Sequence, residues 1–190
     1  MAKDLARAFR APLVTSMTSR LLIDLNRSLG HRQLFSAATR GAPPELRARI
    51  VQRHYLPYRV EVERLVRRSV SRGRRVIHVS SHSFTPELDG KVRRADVGLL
   101  YHPARRGEVD LCARWKASLA ALAPNIRVRR NYPYAGKGDG LTKYLRLRFP
   151  ARAYVGIELE VNQEIVIEAG RRWEALRRIL IDSLRAAHGS

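Results

Sequence analysis

The sequence predicts an α/β fold: a single domain in which a mixed, mostly parallel sheet is flanked by helices. Short apolar runs typical of strands alternate along the chain with amphipathic stretches of helical periodicity. The chain has 190 residues, 45% of them hydrophobic, which is enough for one buried core. No repeat, low-complexity tract or linker interrupts it, so residues 1–190 are expected to form one domain.

The first part of the chain predicts mainly helices. Its elements are, in order, a helix at Lys3–Arg10, strands at Leu13–Thr15 and Leu21–Leu25, a polar loop at Ser28–Pro43 and a long helix at Pro44–Ser71. Pro12 ends the first helix, and Pro57 is expected to kink or split the long one because proline cannot donate the helical hydrogen bond.

The rest of the chain predicts the sheet. Strands are expected at Arg75–Val79, Val97–Tyr101, Ile126–Arg130, Tyr144–Phe149 and Ala153–Val161, helices at Val109–Ala123 and Ala169–Ala187, and a loop at Asn131–Gly140. The strand at Tyr144–Phe149 follows from strict alternation of apolar and charged residues. The stretch VIHVSSHSFTPELDG opens as a strand and is expected to break into a polar loop at His82.

The formal net charge is +20 at pH 7, and only five of the 37 basic residues are lysines. Such a surface attracts nucleic acids or anionic membranes, and it can also steer a small anionic substrate. The arginines are spread over almost every segment, and no motif of an RNA- or DNA-binding domain is present. We therefore do not expect a nucleic-acid partner. We interpret the charge either as an arginine-rich composition of solvated surfaces or as an electrostatic field that steers a small anionic substrate.

The predicted localisation depends on sequence patterns that were looked for and not found. No stretch approaches the roughly 18 apolar residues that a membrane helix needs, so no membrane role is expected. The first residues mix Lys3, Asp4 and Arg7 into apolar positions, unlike a signal peptide. The only cysteine, Cys112, excludes an internal disulfide and is typical of a reducing compartment, so the prediction is cytoplasmic.

Polar side chains gather at the expected carboxyl ends of strands, where open α/β sheets bind ligands. These are Asn26 and Arg27, then His82 and Ser83, then Asn131 with Tyr134 and the glycine loop, and, on one face of the last strand, Glu158 and Glu160. Such a set suggests a hydrolytic site. Each of these residues also has a purely structural explanation. His82 could be a hydrogen-bonded loop residue, Glu158 and Glu160 could pair with arginines, Asn131 and the glycines could be turn residues, and Arg27 could cap or pair.

Five motifs in order make a more specific pattern: SRLLIDLNRS, SSHSF, DGKVRRADVGLLY, NYPYAGKGDGLT and GIELEVNQ. Together they resemble the N-formylglutamate amidohydrolase family, over most of the chain from about Ala6 to the closing helix. The resemblance implies a fold similar to that of zinc carboxypeptidases. It also implies hydrolysis of the N-acyl (N-formyl) amide of an acidic amino acid, a small-molecule carboxylate substrate.

The resemblance assigns roles to single residues. His82 would be a ligand of a zinc cofactor, and Glu160 the general base and then acid, with Glu158 as the alternative because the register over ELEV is ambiguous. Arg27, Arg93 and Asn131 would grip the carboxylates of the substrate. Tyr134 and the loop that begins at Gly136 would close over it.

The sequence departs from the family pattern in its metal ligands. A catalytic zinc usually takes three protein ligands, and the family provides the other two upstream of the point where this sequence begins. The other histidines fall on no ligand position of the family: His31, His54, His78, His102 and His188. We therefore expect either an N-terminally truncated sequence, which would bind zinc poorly, or a metal-free or inactive relative that binds carboxylates.

Overall fold

The computed structural model describes residues 1–168 and 170–189, and it confirms the α/β class. The helices are α1 (Ala2–Ala8), α2 (Ala37–Arg40), α3 (Pro44–Ile50), α4 (Leu56–Val70), α5 (Arg106–Leu122), α6 (Leu141–Arg146), α7 (Gln163–Glu168) and α8 (Gly170–Gly189). The strands are β1 (Val76–Phe84), β2 (Glu87–Leu88), β3 (Lys91–Val92), β4 (Val97–Leu100), β5 (Val128–Arg130) and β6 (Tyr154–Asn162).

A four-stranded sheet with the order β1-β6-β4-β5 carries the candidate site. The sheet is mixed, as predicted: β4 runs parallel to β5 and antiparallel to β6. Strand β6 therefore lies inside the sheet, between β1 and β4. Its nine residues are buried almost throughout, which explains why its sequence is apolar apart from Glu158, Glu160 and Asn162.

The chain forms two compact units, a sheet unit and a helical unit. The sheet unit comprises Met1–Ala11, Ile77–Gly138 and the described chain from Val155 onward. Its core packs α5 and α8 with the apolar residues of the strands, and Trp115, Leu119 and Leu180 are fully buried there. Burial of such large side chains provides most of the free energy of folding.

The helical unit comprises Pro12–Val76 and Asp139–Tyr154. One of its cores joins α4 to α6 and contains Val62, Val66 and Leu145. A second core lies between the loop after Pro12 and the helices, around Ile23 and Tyr55. The assignment of the whole sequence to a single domain stays a prediction.

The expected kink in the long helix takes the form of a π-helical turn. Helix α3 continues through a π-helical turn at Val51–Tyr55 into α4, and Pro57 lies in the first turn of α4. Proline has no N–H group to donate to the preceding turn, and the π-helical turn, which lies just before it, is a common way for a helix to accommodate a missing hydrogen bond.

Four local predictions were wrong. Leu13–Thr15 and Leu21–Leu25 lie in irregular chain and turns. Of the predicted strand Tyr144–Phe149, the first three residues lie in α6 and the last three in the turn that follows it. Strand β1 does not break at His82 but continues to Phe84. None of the helices in the described residues is long and apolar enough to span a membrane.

Candidate functional site

Glu160 is the buried carboxylate of the sheet. It lies on β6, only 5% exposed, directly across from Gly98 of β4. Glu158 lies two residues earlier on the same face, across from Leu100, and is half-buried. A carboxylate inside an apolar strand is unfavourable unless other groups compensate its charge, so its presence there is a signal of function.

His82 lies on the neighbouring strand β1. Its Nε2 atom is 2.9 Å from the Oγ atom of Ser80, two residues earlier on the strand. The ring is half-buried. The structure therefore places the predicted metal ligand and the predicted base on adjacent strands of one sheet.

The loop after β5 is fixed to the sheet by Asn131. The Oδ1 atom of Asn131 accepts hydrogen bonds from the N–H groups of Tyr101 at 3.0 Å and Gly136 at 3.1 Å. Asn131 has a left-handed backbone conformation with φ of 50°, which asparagine tolerates better than most residues. With its oxygen engaged in this way, the side-chain amide of Asn131 keeps its NH₂ group for other acceptors.

Two glycines allow the loop to approach the sheet. A Cβ atom on Gly98 would overlap the carbonyl oxygen of Tyr132 and lie 3.2 Å from the Cβ atom of Glu160. A Cβ atom on Gly136 would lie 2.6 Å from the carbonyl oxygen of Tyr101. Only glycine fits either position, and the sequence analysis missed the role of Gly98.

Arg93 and Tyr134 form a pair beside this loop. The Nη1 atom of Arg93 donates to the hydroxyl of Tyr134 at 3.0 Å, and the guanidinium lies over the ring, 5.0 Å from its centroid. Arg93 is half-buried, whereas Tyr134 is 45% exposed. The structure thus brings two of the predicted substrate-binding residues together.

Asn162, at the end of β6, is a positioning residue that the sequence analysis did not identify. It is 1% exposed, and its Nδ2 atom donates to the carbonyl oxygens of Arg93 at 3.3 Å and Ala95 at 3.0 Å. The asparagine therefore fixes the backbone that carries Arg93. The sequence signal for Asn162 is the motif EVNQ, in which a polar residue ends an apolar strand.

Arg27, the remaining predicted binding residue, belongs to the helical unit. Its guanidinium lies 3.8 Å from the carboxylate of Asp24, and its Nη1 atom is 3.4 Å from the carbonyl oxygen of Asp139. Its own carbonyl oxygen accepts from the hydroxyl of Tyr55 at 2.7 Å. Leu21–Leu25 is not a strand, so Arg27 does not follow a strand end as expected. These contacts hold it in place instead.

Asp139 closes the same turn from the other side. Its carboxylate accepts hydrogen bonds from the Oγ atom of Ser28 at 2.5 Å and from the backbone N–H of Ser28 at 3.0 Å. Partial burial alone would raise the pKa of Asp139, but the Ser28 hydrogen bonds and the nearby His31 and Arg27 hold it below its ordinary value.

Arg59 lies beneath this turn, 3% exposed. Its Nη1 atom is within 3.4 Å of the carbonyl oxygens of Leu25 and Asn26. Its guanidinium lies over the ring of Tyr144, 4.3 Å from the centroid. Burial lowers the pKa of Arg59. The backbone before Arg27 is therefore fixed by buried Arg59, and Ser28 after it is held by half-buried Asp139.

The described residues do not fit a zinc site by themselves. In the stretches 1–168 and 170–189, no three His, Cys, Asp or Glu side chains are arranged to hold a metal ion. A catalytic zinc ordinarily takes three such ligands, and His82 provides only one of the expected set.

The fold and the site together define a class of protein: an α/β protein with a buried carboxylate on an inner strand of the sheet, beside a glycine-lined loop. Residues 1–167 match the profile of the N-formylglutamate amidohydrolase family. The chain belongs to this family, whose reaction type is hydrolysis of an amide. A search of curated proteins found no match.

Solved structures show the same fold. The gene product Atu2144 from Agrobacterium tumefaciens is 26% identical with a TM-score of 0.81, and the match covers 99% of this chain and 75% of that one. An N-formylglutamate amidohydrolase from Ralstonia eutropha JMP134 is 21% identical with a TM-score of 0.72, over 99% of this chain and 81% of that one.

Proposed function

We propose that the protein hydrolyses the N-acyl amide, typically N-formyl, of an acidic amino acid, with zinc as cofactor. The observation that carries this proposal is the burial of Glu160 on an inner strand, in a chain of the N-formylglutamate amidohydrolase family. We also propose a cytoplasmic location, which the single cysteine supports.

Glu160 is the proposed general base. It takes a proton from the attacking water and later gives a proton to the amine that leaves, so that one carboxylate acts in both directions. Its burial supports this assignment, because a carboxylate removed from bulk water is the kind of group whose basicity the surroundings can adjust. Glu158 is the alternative base, half-buried and two residues away.

The substrate is held by its carboxylates in this proposal. Arg93 offers a guanidinium that is already oriented by Tyr134, and Asn131 offers an NH₂ group whose direction is fixed by the two backbone donors on its oxygen. Arg27, which belongs to the helical unit, keeps its expected role as a carboxylate ligand on the resemblance to the family alone. Fixing these groups before the ligand arrives reduces the entropy lost on binding. Tyr134 and the Gly136 loop close over the substrate.

Zinc dependence is proposed on family membership alone, with His82 as one ligand. In the part of the chain that the structure describes, no three His, Cys, Asp or Glu side chains are grouped to hold a metal ion, so His82 is the one ligand that this proposal names. The same observation favours a second candidate function, a metal-free relative that binds an acylated amino acid without hydrolysing it. In that case Arg27, Arg93 and Asn131 would keep their role and Glu160 would not.

The test is release of formate from N-formyl-L-glutamate, together with the metal content, for the 190-residue chain and for the protein isolated from its host. We expect the host protein to hold zinc and to turn over. His82→Ala should lose zinc and activity together. Glu160→Gln should keep zinc and lose about 10²-fold or more of kcat, the range for removal of a general base.

The matched control is Glu158→Gln, which removes the same charge from the same face of β6 and should retain most activity. Activity that persists in Glu160→Gln but disappears in Glu158→Gln moves the base to Glu158. A host protein that binds N-formyl-L-glutamate without zinc and without releasing formate supports the metal-free binding protein and excludes the hydrolase.

A further inference from the structure

A cavity in the helical unit is lined mainly by charged side chains. Its volume is about 300 Å³, at the lower end for pockets that hold small molecules. The lining includes three arginines, one aspartate, one side-chain amide and one aromatic ring: Arg20, Arg27, Arg40, Asp24, Gln33 and Phe35. All of these residues belong to Pro12–Val76, so this cavity lies entirely within the helical unit.

Hydrogen bonds fix the walls of the cavity to each other. The backbone N–H of Asp24 donates to the carbonyl oxygen of Leu34 at 2.8 Å. The hydroxyl of Ser36 donates to the carbonyl oxygen of Leu21 at 2.5 Å. Ile23 and Leu34 are buried in one core, so both walls are also anchored by apolar packing. The cavity is therefore a folded feature with defined walls.

The positive charge of the lining is only partly compensated. Its three guanidinium groups outweigh its one carboxylate, which leaves a net charge of +2. Asp24 is 7% exposed and already paired, with Arg20 at 2.7 Å and with Arg27 at 3.8 Å. Within residues 1–168 and 170–189, neither the guanidinium of Arg40 nor the side-chain amide of Gln33 has a hydrogen-bond partner in the protein. Both groups therefore keep their N–H donors for a ligand.

A fourth guanidinium lies beside the cavity. The guanidinium of Arg47 lies over the ring of Phe35, 5.9 Å from its centroid. The Nε atom of Arg47 is buried and has no hydrogen-bond partner in the part of the chain that the structure describes. Its charge adds to the positive potential around the cavity, because partly buried charges are screened less by salt than exposed ones.

The lining favours a phosphate group over a carboxylate. A guanidinium can bind either of them through paired N–H donors. A carboxylate carries a single negative charge on two oxygens, so it leaves part of the positive charge uncompensated. A phosphate monoester carries a charge of about −1.5 to −2 at neutral pH and has three strong acceptor oxygens, which donors on several sides can reach at once. Arg20, Arg40 and Gln33 provide such donors.

We propose that this cavity binds a phosphate group, with Arg20, Arg40 and Gln33 as its donors. The group belongs either to inorganic phosphate or to a small phosphate monoester whose organic part packs on Phe35. The ligand lies wholly within the helical unit. It is not a substrate of the amide hydrolysis proposed above, in which none of the three donors has a role. Arg27 stays engaged in its own contacts and is not needed as a donor.

Isothermal titration of the 190-residue chain with inorganic phosphate, in a constant chloride background, tests the site. We expect saturable binding of a single phosphate. Arg40→Ala should weaken this binding about tenfold, the scale of one charge-assisted hydrogen bond. Arg40→Lys keeps the charge but not the planar fork of donors, so it should recover only part of the affinity. Gln33→Ala should cost less than Arg40→Ala, because the amide is neutral.

Arg32→Ala is the matched control. Arg32 is exposed in the same segment and does not line the cavity, so this variant loses the same charge and should keep its affinity for phosphate. Both arginine-to-alanine variants should unfold at the urea concentration of the parent chain, because neither arginine has a partner to lose among the described residues. An equal loss of affinity in Arg32→Ala and Arg40→Ala overturns the inference, since it would mean general attraction to a charge of +20. Acetate binding as tight as that of phosphate overturns it too.

Phenyl phosphate separates the two sources of the phosphate group. Tighter binding than that of inorganic phosphate supports a monoester whose organic part contacts Phe35, and equal or weaker binding supports inorganic phosphate. No amide substrate is present in any of these titrations. Phosphate binding can therefore fail while the host protein still releases formate from N-formyl-L-glutamate, so the inference and the proposed function stand or fall separately.

Discussion

At the scale of single residues, Gly98 sets the distance between the sheet and the Asn131 loop. Gly98→Ala places a methyl group against the carbonyl oxygen of Tyr132, and backbone cannot move aside as a flexible side chain can. We expect a loss of about 1–3 kcal/mol in the free energy of unfolding, the usual range for overpacking. Urea denaturation measures it.

Gly41→Ala is the control for this substitution. Gly41 has a φ of −83°, and a Cβ atom there would meet no atom within 4 Å. The control should therefore change stability by less than about 0.5 kcal/mol. Equal stability of Gly98→Ala and Gly41→Ala would contradict the close approach of the loop to β4.

Asp139 makes a pH-dependent contribution to stability. Its pKa is lowered in the folded protein from the ordinary value of 3.8: partial burial raises it, but the Ser28 hydrogen bonds together with nearby His31 and Arg27 lower it further. For such a group the contribution is complete above the unfolded pKa and is lost as the pH falls through the lower folded pKa. We expect Asp139→Asn to cost about 1 kcal/mol at neutral pH, where the carboxylate is ionised.

The measurement is the free energy of unfolding of both proteins from pH 7 down to about pH 2. The two curves should converge in acid, below the ordinary pKa, as the carboxyl group takes up its proton. In a Ser28→Ala background the difference should be smaller at neutral pH, because the serine hydroxyl that binds the carboxylate is then absent. A difference that is independent of pH would mean that the charge of Asp139 has no role.

At the scale of elements, α6 is the segment whose prediction failed, and two leucines test what replaced it. In a strand Leu145 and Leu147 share a face, whereas in α6 Leu145 is fully buried and Leu147, just after the helix, is 78% exposed. Leu145→Ala should therefore lose about 2–5 kcal/mol of stability, and Leu147→Ala less than about 0.5 kcal/mol. Similar losses of stability in the two variants, measured by urea denaturation, would support the predicted strand instead of α6.

The failure of that prediction has a physical cause. The alternation of Tyr144–Phe149 is real, but Leu141 and Leu145 also have the i, i+4 spacing of one helix face. Both leucines are buried with Val62 and Val66 of α4, so tertiary packing selected the helix. A short apolar run cannot be assigned from periodicity alone, and the same limit explains the wrong strand at Leu21–Leu25.

The longer elements were predictable because their patterns are long. Helices α5 and α8 and strand β6 lie within a few residues of their predicted positions. For the candidate site, Asn131, Tyr134 and Glu160 could be proposed from the sequence because polar residues follow or interrupt apolar strands, and their roles stay predictions. Gly98 and Arg59 could not be identified, since their roles depend on residues far away in the sequence, such as Tyr132 and Asn26. Asn162 does end an apolar strand, but its partners at Arg93 and Ala95 could not be inferred from the sequence.

At the scale of the whole molecule, the charge of +20 is the property that no single site explains. Many arginines are satisfied locally: Arg64 and Arg67 pair with glutamates on α4, and Arg185 pairs with Asp182 on α8. Exposed pairs of this kind contribute little to stability. They leave a large excess of positive charge, which acts on anions over a Debye length of about 8 Å at physiological salt.

The charge predicts nonspecific attraction to polyanions without a specific nucleic-acid site. Binding to duplex DNA, measured by fluorescence anisotropy, should weaken by about 10³-fold or more between roughly 50 and 200 mM salt, as expected for release of many counterions. Binding of N-formyl-L-glutamate over the same range should change only a few-fold, because the ligand has two charges. A saturable DNA complex that survives at the upper end of that salt range would instead place the arginines in a nucleic-acid interface.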